Sequence, residues 1–279
     1  VDVRLPMTTQ LERMPDKSNY YAVLHGPIVL AAKTRLFGDE QLNFLADESR
    51  MGHIAQGPVC PLGAAPMLVS DSIDFLRRFR AVKGKPLTFT APGLVRGAAG
   101  PATEFVPFFR LHDTRYTMYW QHATPANFER MRAENAASEA ERLALDARTI
   151  DQVAPGEQQP ESDHFFKGEG VAAGVNSGRH WRHASKWFSY ELNDPKGEAK
   201  LLRLTFAKAD AGRRFDIEAN GVLVAQVTLG ADAGADFYTV DYALPASLTQ
   251  TNKPTRLAIR FVARPDSIAG GLYGLRLLR

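Results

Sequence analysis

HFFKGEGVAAGVNSGRHWRHASKWFSYEL, residues His164 to Leu192, is the stretch that decides how this chain folds. Its end alternates as a half-buried strand does. Phe188, Tyr190 and Leu192 share one face, and Trp187, Ser189 and Glu191 share the other. Its middle is a Gly- and Asn-bearing segment that reads as a loop gathering Arg179, His180, Trp181, Arg182 and His183. Everything after Leu192 repeats the strand pattern at short intervals. Strands are predicted at 187–193, 200–206, 213–219, 222–229, 236–242, 255–263 and 272–278, with Asn220-Gly221 as a two-residue hairpin turn. Leu202, Leu204, Phe206, Phe215, Ile217, Ala219, Leu223, Ala225, Val227 and Leu229 are the expected inward residues. Seven or eight strands with no helix between them define a β-sandwich or jelly roll.

Working towards the N-terminus, Ile150 to Gly170 carries Pro, Gly and Gln and reads as an ordered linker. Thr124-Pro125 starts a helix over Asn127 to Arg148, with Thr as cap and Pro in the first turn. Arg130 with Glu134 and Glu139 with Arg142 can pair across one turn. The apolar stripe is thin: Phe128, Met131, Ala140, Leu143 and Ala147. Before the helix come short predicted strands at 1–7, 20–24, 27–32, 75–82, 86–90, 104–111 and 116–121. They are interrupted by a long irregular segment from Lys33 to Val69, of the kind that is functional or docked on a neighbour. The expected class is mainly β. A sandwich with an insertion at 33–69 spans 1–122, helix and linker span 123–163, and a jelly-roll, galactose-binding-like sandwich spans 164–279. VDVRL alternates from its first residue, so the first sandwich is expected to lack a strand and the chain to be part of something longer.

Composition narrows the function classes. Hydrophobic residues make up 44% and charged residues 23%, as in a globular chain that buries a core. No run approaches the roughly 18 apolar residues of a membrane span. The 34 Lys and Arg are scattered and the net charge is +3, which argues against nucleic acid. The single cysteine, Cys60, excludes an internal disulfide and a cysteine-rich zinc site. No Gly-x-Ser-x-Gly, Walker, Gly-x-Gly-x-x-Gly or His-Glu-x-x-His motif occurs.

Three groups of candidate residues remain. Asn176, Arg179, His180, Trp181, Arg182 and Trp187, with Tyr273 from the Gly270-Gly271 run, supply the aromatic rings and planar hydrogen-bonding groups that a sugar needs. The polar neighbours of Trp187 in the alternation predict an exposed or interface-facing ring. Asp47, Glu48, Arg50 and His53 in the long loop form the best acid–base or rim group. Glu161, Asp163 and His164, with Glu157 nearby, could hold a metal, and calcium suits the carboxylates.

Several phrases, in order, carry a resemblance: NYYAVLHGPIVLAAK, ADESRMGHIAQGP, FVPFFRLHDTRYTMYW, VAPGEQQPESDH, GRHWRHASKWFSYEL and SIAGGLYGLRLLR. Together they resemble the C-terminal portion of bacterial glycoside hydrolase family 127-like proteins, which include β-L-arabinofuranosidases. The resemblance implies a secreted or periplasmic parent with an N-terminal (α/α)6 barrel followed by β-sandwiches. In that family a cysteine nucleophile and a cysteine- and glutamate-held zinc lie in the barrel. Cys60 stands alone in a β-unit, so no catalytic residue and no cofactor is carried over to this fragment, and zinc is expected only in the barrel. The expected role is to support that barrel and to help bind a plant-type carbohydrate. The alternatives are an autonomous carbohydrate-binding module, a structural or interaction module, and an enzyme in its own right.

Overall fold

The computed structural model describes residues 7–34, 43–46, 53–56, 60–98, 100, 103–112, 114–230, 235–248, 253 and 255–279. The chain divides into two compact units, Val1–Leu143 and Ala144–Arg279. Both are built on β-sheet, so the class is mainly β as the alternation predicts.

The first unit holds β1 (Thr9–Arg13), β2 (Tyr20–His25), β3 (Ile28–Lys33), β4 (Asn43–Ala46), β5 (His53–Gln56) and β6 (Met67–Val69). There follow β7 (Arg80–Ala81), β8 (Phe89–Thr90), β9 (Val95–Arg96), β10 (Glu104–Pro107), β11 (Tyr116–Thr117) and β12 (Tyr119–Ala123). Strand β2 organises them. One of its edges pairs with β1 along Tyr21–His25. The other edge is divided, Tyr20–Ala22 pairing with β12 and Val23–His25 with β3. Two branches therefore leave β2, one through β3, β10, β8 and β7 and one through β12, β6 and β9. Val23, Leu30, Leu68, Leu94, Phe105 and Trp120 fill the core between them. The Gly26-Pro27 pair becomes the two-residue turn between β2 and β3, with Gly26 at φ 58 where a side chain is strained.

Several expected strands are shorter than predicted. The 75–82 strand is a 3-10 turn at Leu76–Arg78 followed by β7, and the 104–111 strand stops at Pro107 before another such turn. Proline cannot continue the ladder, and Phe108 and Phe109 leave the sheet exposed. The long segment is not wholly irregular, since β4 and β5 pair antiparallel within it. Asp47, Glu48 and Arg50 lie outside the described residues; His53 opens β5. The predicted helix is α1 (Phe128–Arg148), with Asn127 Oδ1 accepting the Thr124 N–H at 2.7 Å. Arg130 and Glu134 pair at 2.6 Å. Glu139 instead accepts the Leu62 N–H at 2.8 Å, and Arg132 Nε donates to the Gly63 carbonyl at 2.9 Å. Of the apolar stripe only Phe128 is buried.

The second unit holds β13 (Thr149–Val153), α2 (Gln158–Asp163), β14 (Lys167–Asn176), β15 (Arg179–Asp194), β16 (Leu201–Ala207), β17 (Arg214–Ala219), β18 (Val222–Thr228), β19 (Phe237–Ala243), β20 (Thr255–Ala263) and β21 (Ala269–Leu278). The segment expected as linker is thus structured: β13 pairs with the end of β21, and α2 follows it. The loop expected around Arg179–His183 is strand, because β14 and β15 form one long hairpin. Strand β15 belongs to both layers of the sandwich. Its Arg182–Ala184 pairs with the start of β21, which continues to β16 and β19. Its Trp187–Asp194 pairs with β20, which continues to β17 and β18. Phe188, Tyr190 and Leu192 point inward as predicted and meet Leu204, Phe206, Phe215, Ile217, Ile259, Phe261, Leu275 and Leu277. Each such side chain contributes about 1.5–3 kcal/mol on burial. Leu223 is the exception among the predicted inward residues. The register shifts between Ile217 and Glu218, which leaves Leu223 exposed.

Asn220 and Gly221 both adopt positive φ, 48 and 79. Substituting Gly221→Val forces a β-branched residue into that region and is expected to cost about 1–2 kcal/mol, read as a lower midpoint in urea unfolding with an unchanged far-ultraviolet spectrum.

Candidate functional site

The site grows from the β14–β15 hairpin. Ser177 and Gly178 make its turn at φ 49 and 74, and the register runs without a break from Asn176 opposite Arg179 to Val171 opposite Ala184. Cross-strand partners share a face. Asn176, Gly174 and Ala172 therefore lie with Arg179, Trp181 and His183, while Val175 and Ala173 lie with His180 and Arg182. A Cβ on Gly174 would stand 2.6 Å from Trp181 Cζ2, so the indole lies flat across the partner strand only because that residue is glycine. His183 stacks beside it with ring centroids 4.6 Å apart.

Residues from three other segments complete this face. Tyr273 and Phe237 meet edge to face at 4.9 Å, and the Arg179 guanidinium sits 4.5 Å above the Phe237 ring. Asn176 Nδ2 donates to the Tyr273 hydroxyl at 3.2 Å. Asp210 pairs with Arg213 at 2.7 Å, and a Cβ on Gly271 would stand 2.2 Å from Asp210 Oδ2. That glycine, at φ 83, leaves the space the carboxylate occupies. Asp210 Oδ2 is buried without a hydrogen-bond partner, and burial pushes its carboxyl pKa up against the pull of Arg213. Arg213 Nη1 reaches His183 Nδ1 at 3.4 Å and donates to it. That bond places the imidazole proton on Nε2, and burial, then Arg213 and Arg182, push the His183 pKa down. Arg179 has no carboxylate partner among the described residues. The face therefore offers aromatic rings beside fixed planar donors and acceptors, which suits a molecule with one apolar face and hydroxyls at its rim.

Not every sugar-binding candidate lies here. Asn176, Arg179, Trp181 and Tyr273 come together. His180 is exposed on the opposite face of the ribbon. Arg182 points inward, where its Nε donates to Glu161 at 2.9 Å and its Nη2 donates to the other carboxylate oxygen. Trp187 lies beyond a register shift at Glu169/Val171, under Arg260 at 4.4 Å. Phe237, His183, Asp210 and Arg213 are the members that sequence reasoning omits. Phe237 carries the signal that marked Trp187, an aromatic residue alternating with polar Thr239 and Asp241 on one strand face.

The metal candidates are otherwise employed. Glu161 accepts from Arg182, from the Gly156 N–H at 2.8 Å and from the Tyr190 hydroxyl at 2.7 Å. Burial acts to raise its pKa, but those bonds outweigh it and hold the carboxylate low, and burial with Glu161 drives Tyr190 well above the usual phenol range. Asp163 accepts from Gln159 at 2.7 Å. His164 Nδ1 faces the Pro160 carbonyl at 2.6 Å and Nε2 faces Asp151 at 3.1 Å, two acceptors that favour the protonated ring and, with Asp151 leading, push its pKa up against burial. No three metal-ligating side chains converge among the described residues. Cys60 is half-buried, and burial, then Glu139, raises its thiol pKa away from the reactive range.

Residues 144–278 match a family model described as a family of unknown function (DUF6805), and residues 10–122 one described as a domain of unknown function (DUF4986). No curated protein matches the chain. Among solved structures, the chain is similar to the ANX1 ectodomain from Arabidopsis thaliana at 15% identity and a TM-score of 0.34, over 46% of this chain and 40% of that one. It thus spans well under half the length of that ectodomain. A family 35 carbohydrate binding module from Clostridium thermocellum aligns at 17% identity and a TM-score of 0.32, over 45% of this chain and 96% of the module. The module CBM6cm-2 from Cellvibrio mixtus lichenase 5A, in complex with cellotriose, aligns at 15% identity and 0.33, over 47% and 98%. No helix among the described residues is long and apolar enough to cross a membrane.

Two predictions test the buried network. Glu161→Ala strands Arg182 in the interior and is expected to cost about 3–5 kcal/mol in equilibrium unfolding. Hydrogen bonding to Asp151 leads the causes that raise the His164 pKa, so the pair's stabilisation is full below the unfolded value of about 6.5 and is lost as pH rises through the folded value. The Asp151 pKa is lowered although burial opposes this, so its share is lost on acidification below about 3.9. A His164→Gln chain should melt below the wild type at pH 6, and the gap should close towards pH 9.

Proposed function

We propose that the second unit is a carbohydrate-binding β-sandwich and that the chain is the non-catalytic β-rich C-terminal region of an arabinofuranosidase-like glycoside hydrolase. One observation carries the first part: Trp181, Tyr273, Phe237, Arg179 and Asn176, from four strands, share one face with fixed mutual geometry. A pyranose or furanose would lay its C–H face on the rings and offer its hydroxyls to Arg179, Asn176 and the neutral His183. The second part rests on the ordered phrases quoted from the sequence. In this reading the parent's (α/α)6 barrel holds the nucleophile and zinc, the parent works outside the cytoplasm, and the two β-units support the barrel.

Titration calorimetry with neutral arabino-, xylo- and galacto-oligosaccharides tests the binding. Tyr273→Ala and Arg179→Ala should each weaken it roughly tenfold, about 1.4 kcal/mol, with unchanged melting temperature. Turnover of an aryl arabinofuranoside by this chain alone would refute the non-catalytic assignment.

A further inference from the structure

We propose that the groove beside Trp187 is a second, separate sugar site in the same unit, for a neutral glycan; this rests on the carbohydrate reading above. Trp181 and Trp187 are six positions apart on β15, about 20 Å along a strand, and the register shift at Glu169/Val171 falls between them. Their surroundings differ. Trp181 lies among Gly174 and His183, whereas Trp187 lines a groove of about 660 Å³ with Ser185, Lys186 and the turn from Arg264 to Ile268.

The groove has a fixed wall. Arg214 N donates to Ser267 Oγ at 2.7 Å and Arg214 Nη2 donates to the Pro265 carbonyl at 3.2 Å. Those bonds hold the turn in which Asp266 takes φ 57. The charges there balance. Arg264 is paired with Asp216 at 2.8 Å, Lys186 with Glu169, and Arg260 with Glu218 at 3.9 Å. Asp266 and Arg214, on opposite sides of that turn's bonding, are each in no ion pair among the described residues, so the one charge offsets the other. The Trp187 ring, with Arg260 over it, and a carboxylate on a rigid turn accept a ring with hydroxyl donors, and a groove whose charges balance suits a neutral sugar. The face around Arg179 differs in holding a cation that no carboxylate pairs among the described residues.

Calorimetry on the whole 279-residue chain reads the number of sites. Neutral arabino-, xylo- or galacto-oligosaccharides should bind two per chain. Trp187→Ala should remove one site. Asp266→Asn keeps the turn geometry and should weaken that site about tenfold, and it serves if the tryptophan variant does not fold. Tyr273→Ala should leave the groove site intact. Binding of one sugar per chain that Tyr273→Ala abolishes and neither groove variant alters overturns the second site while the carbohydrate reading stands. No binding by any probe overturns both.

Discussion

Arg182 occupies the part of β15 that pairs with β21, and its charge has to be answered inside the protein. Removing an ion from water costs several kcal/mol unless a partner and hydrogen bonds replace the lost solvation. Glu161 supplies both. Its two oxygens take the Arg182 fork, the Gly156 N–H and the Tyr190 hydroxyl, and Phe166 covers the guanidinium at 4.5 Å. This arrangement ties α2, β15 and the turn before α2 into one piece. Gly156 in turn lies against the Trp181 backbone so closely that a Cβ would stand 2.7 Å from the Trp181 carbonyl oxygen. The aromatic face on the outside of the ribbon is therefore set by an ion pair on its inside.

Much of this architecture is legible in the amino acids. β16, β17 and β20 alternate cleanly because one side of each is core, and period-two patterning survives wherever one face is wet and the other dry. Asn220-Gly221 declares its turn for the same local reason. The hairpin before Leu192 does not declare itself. β14 reads KGEGVAAGVN and is exposed on nearly every residue, so no burial contrast marks it as strand. Glycine and alanine there are evidence of close packing under an indole, which becomes visible only when the partner strand is in place.

The site is less legible than the fold. Its members come from β14, β15, β19, β21 and the turn after β16, and no spacing in a single stretch unites them. Trp187 and Trp181 look like one aromatic group in the sequence, yet the intervening irregularity gives each its own surroundings. Arg182 and Glu161 look like binding or metal residues by type. Their direction, inward, is what makes them structural.

Two positions on the proposed binding face matter for what they lack. At Gly174 and Gly271 the missing carbon makes room for an indole and for a carboxylate. A methyl group at residue 174 would tip the Trp181 ring off its bed without disturbing the interior. Damage to this surface can therefore arise in chains that still express, fold and melt normally. Screens based on solubility would pass them, and only contact with a ligand would reveal the loss.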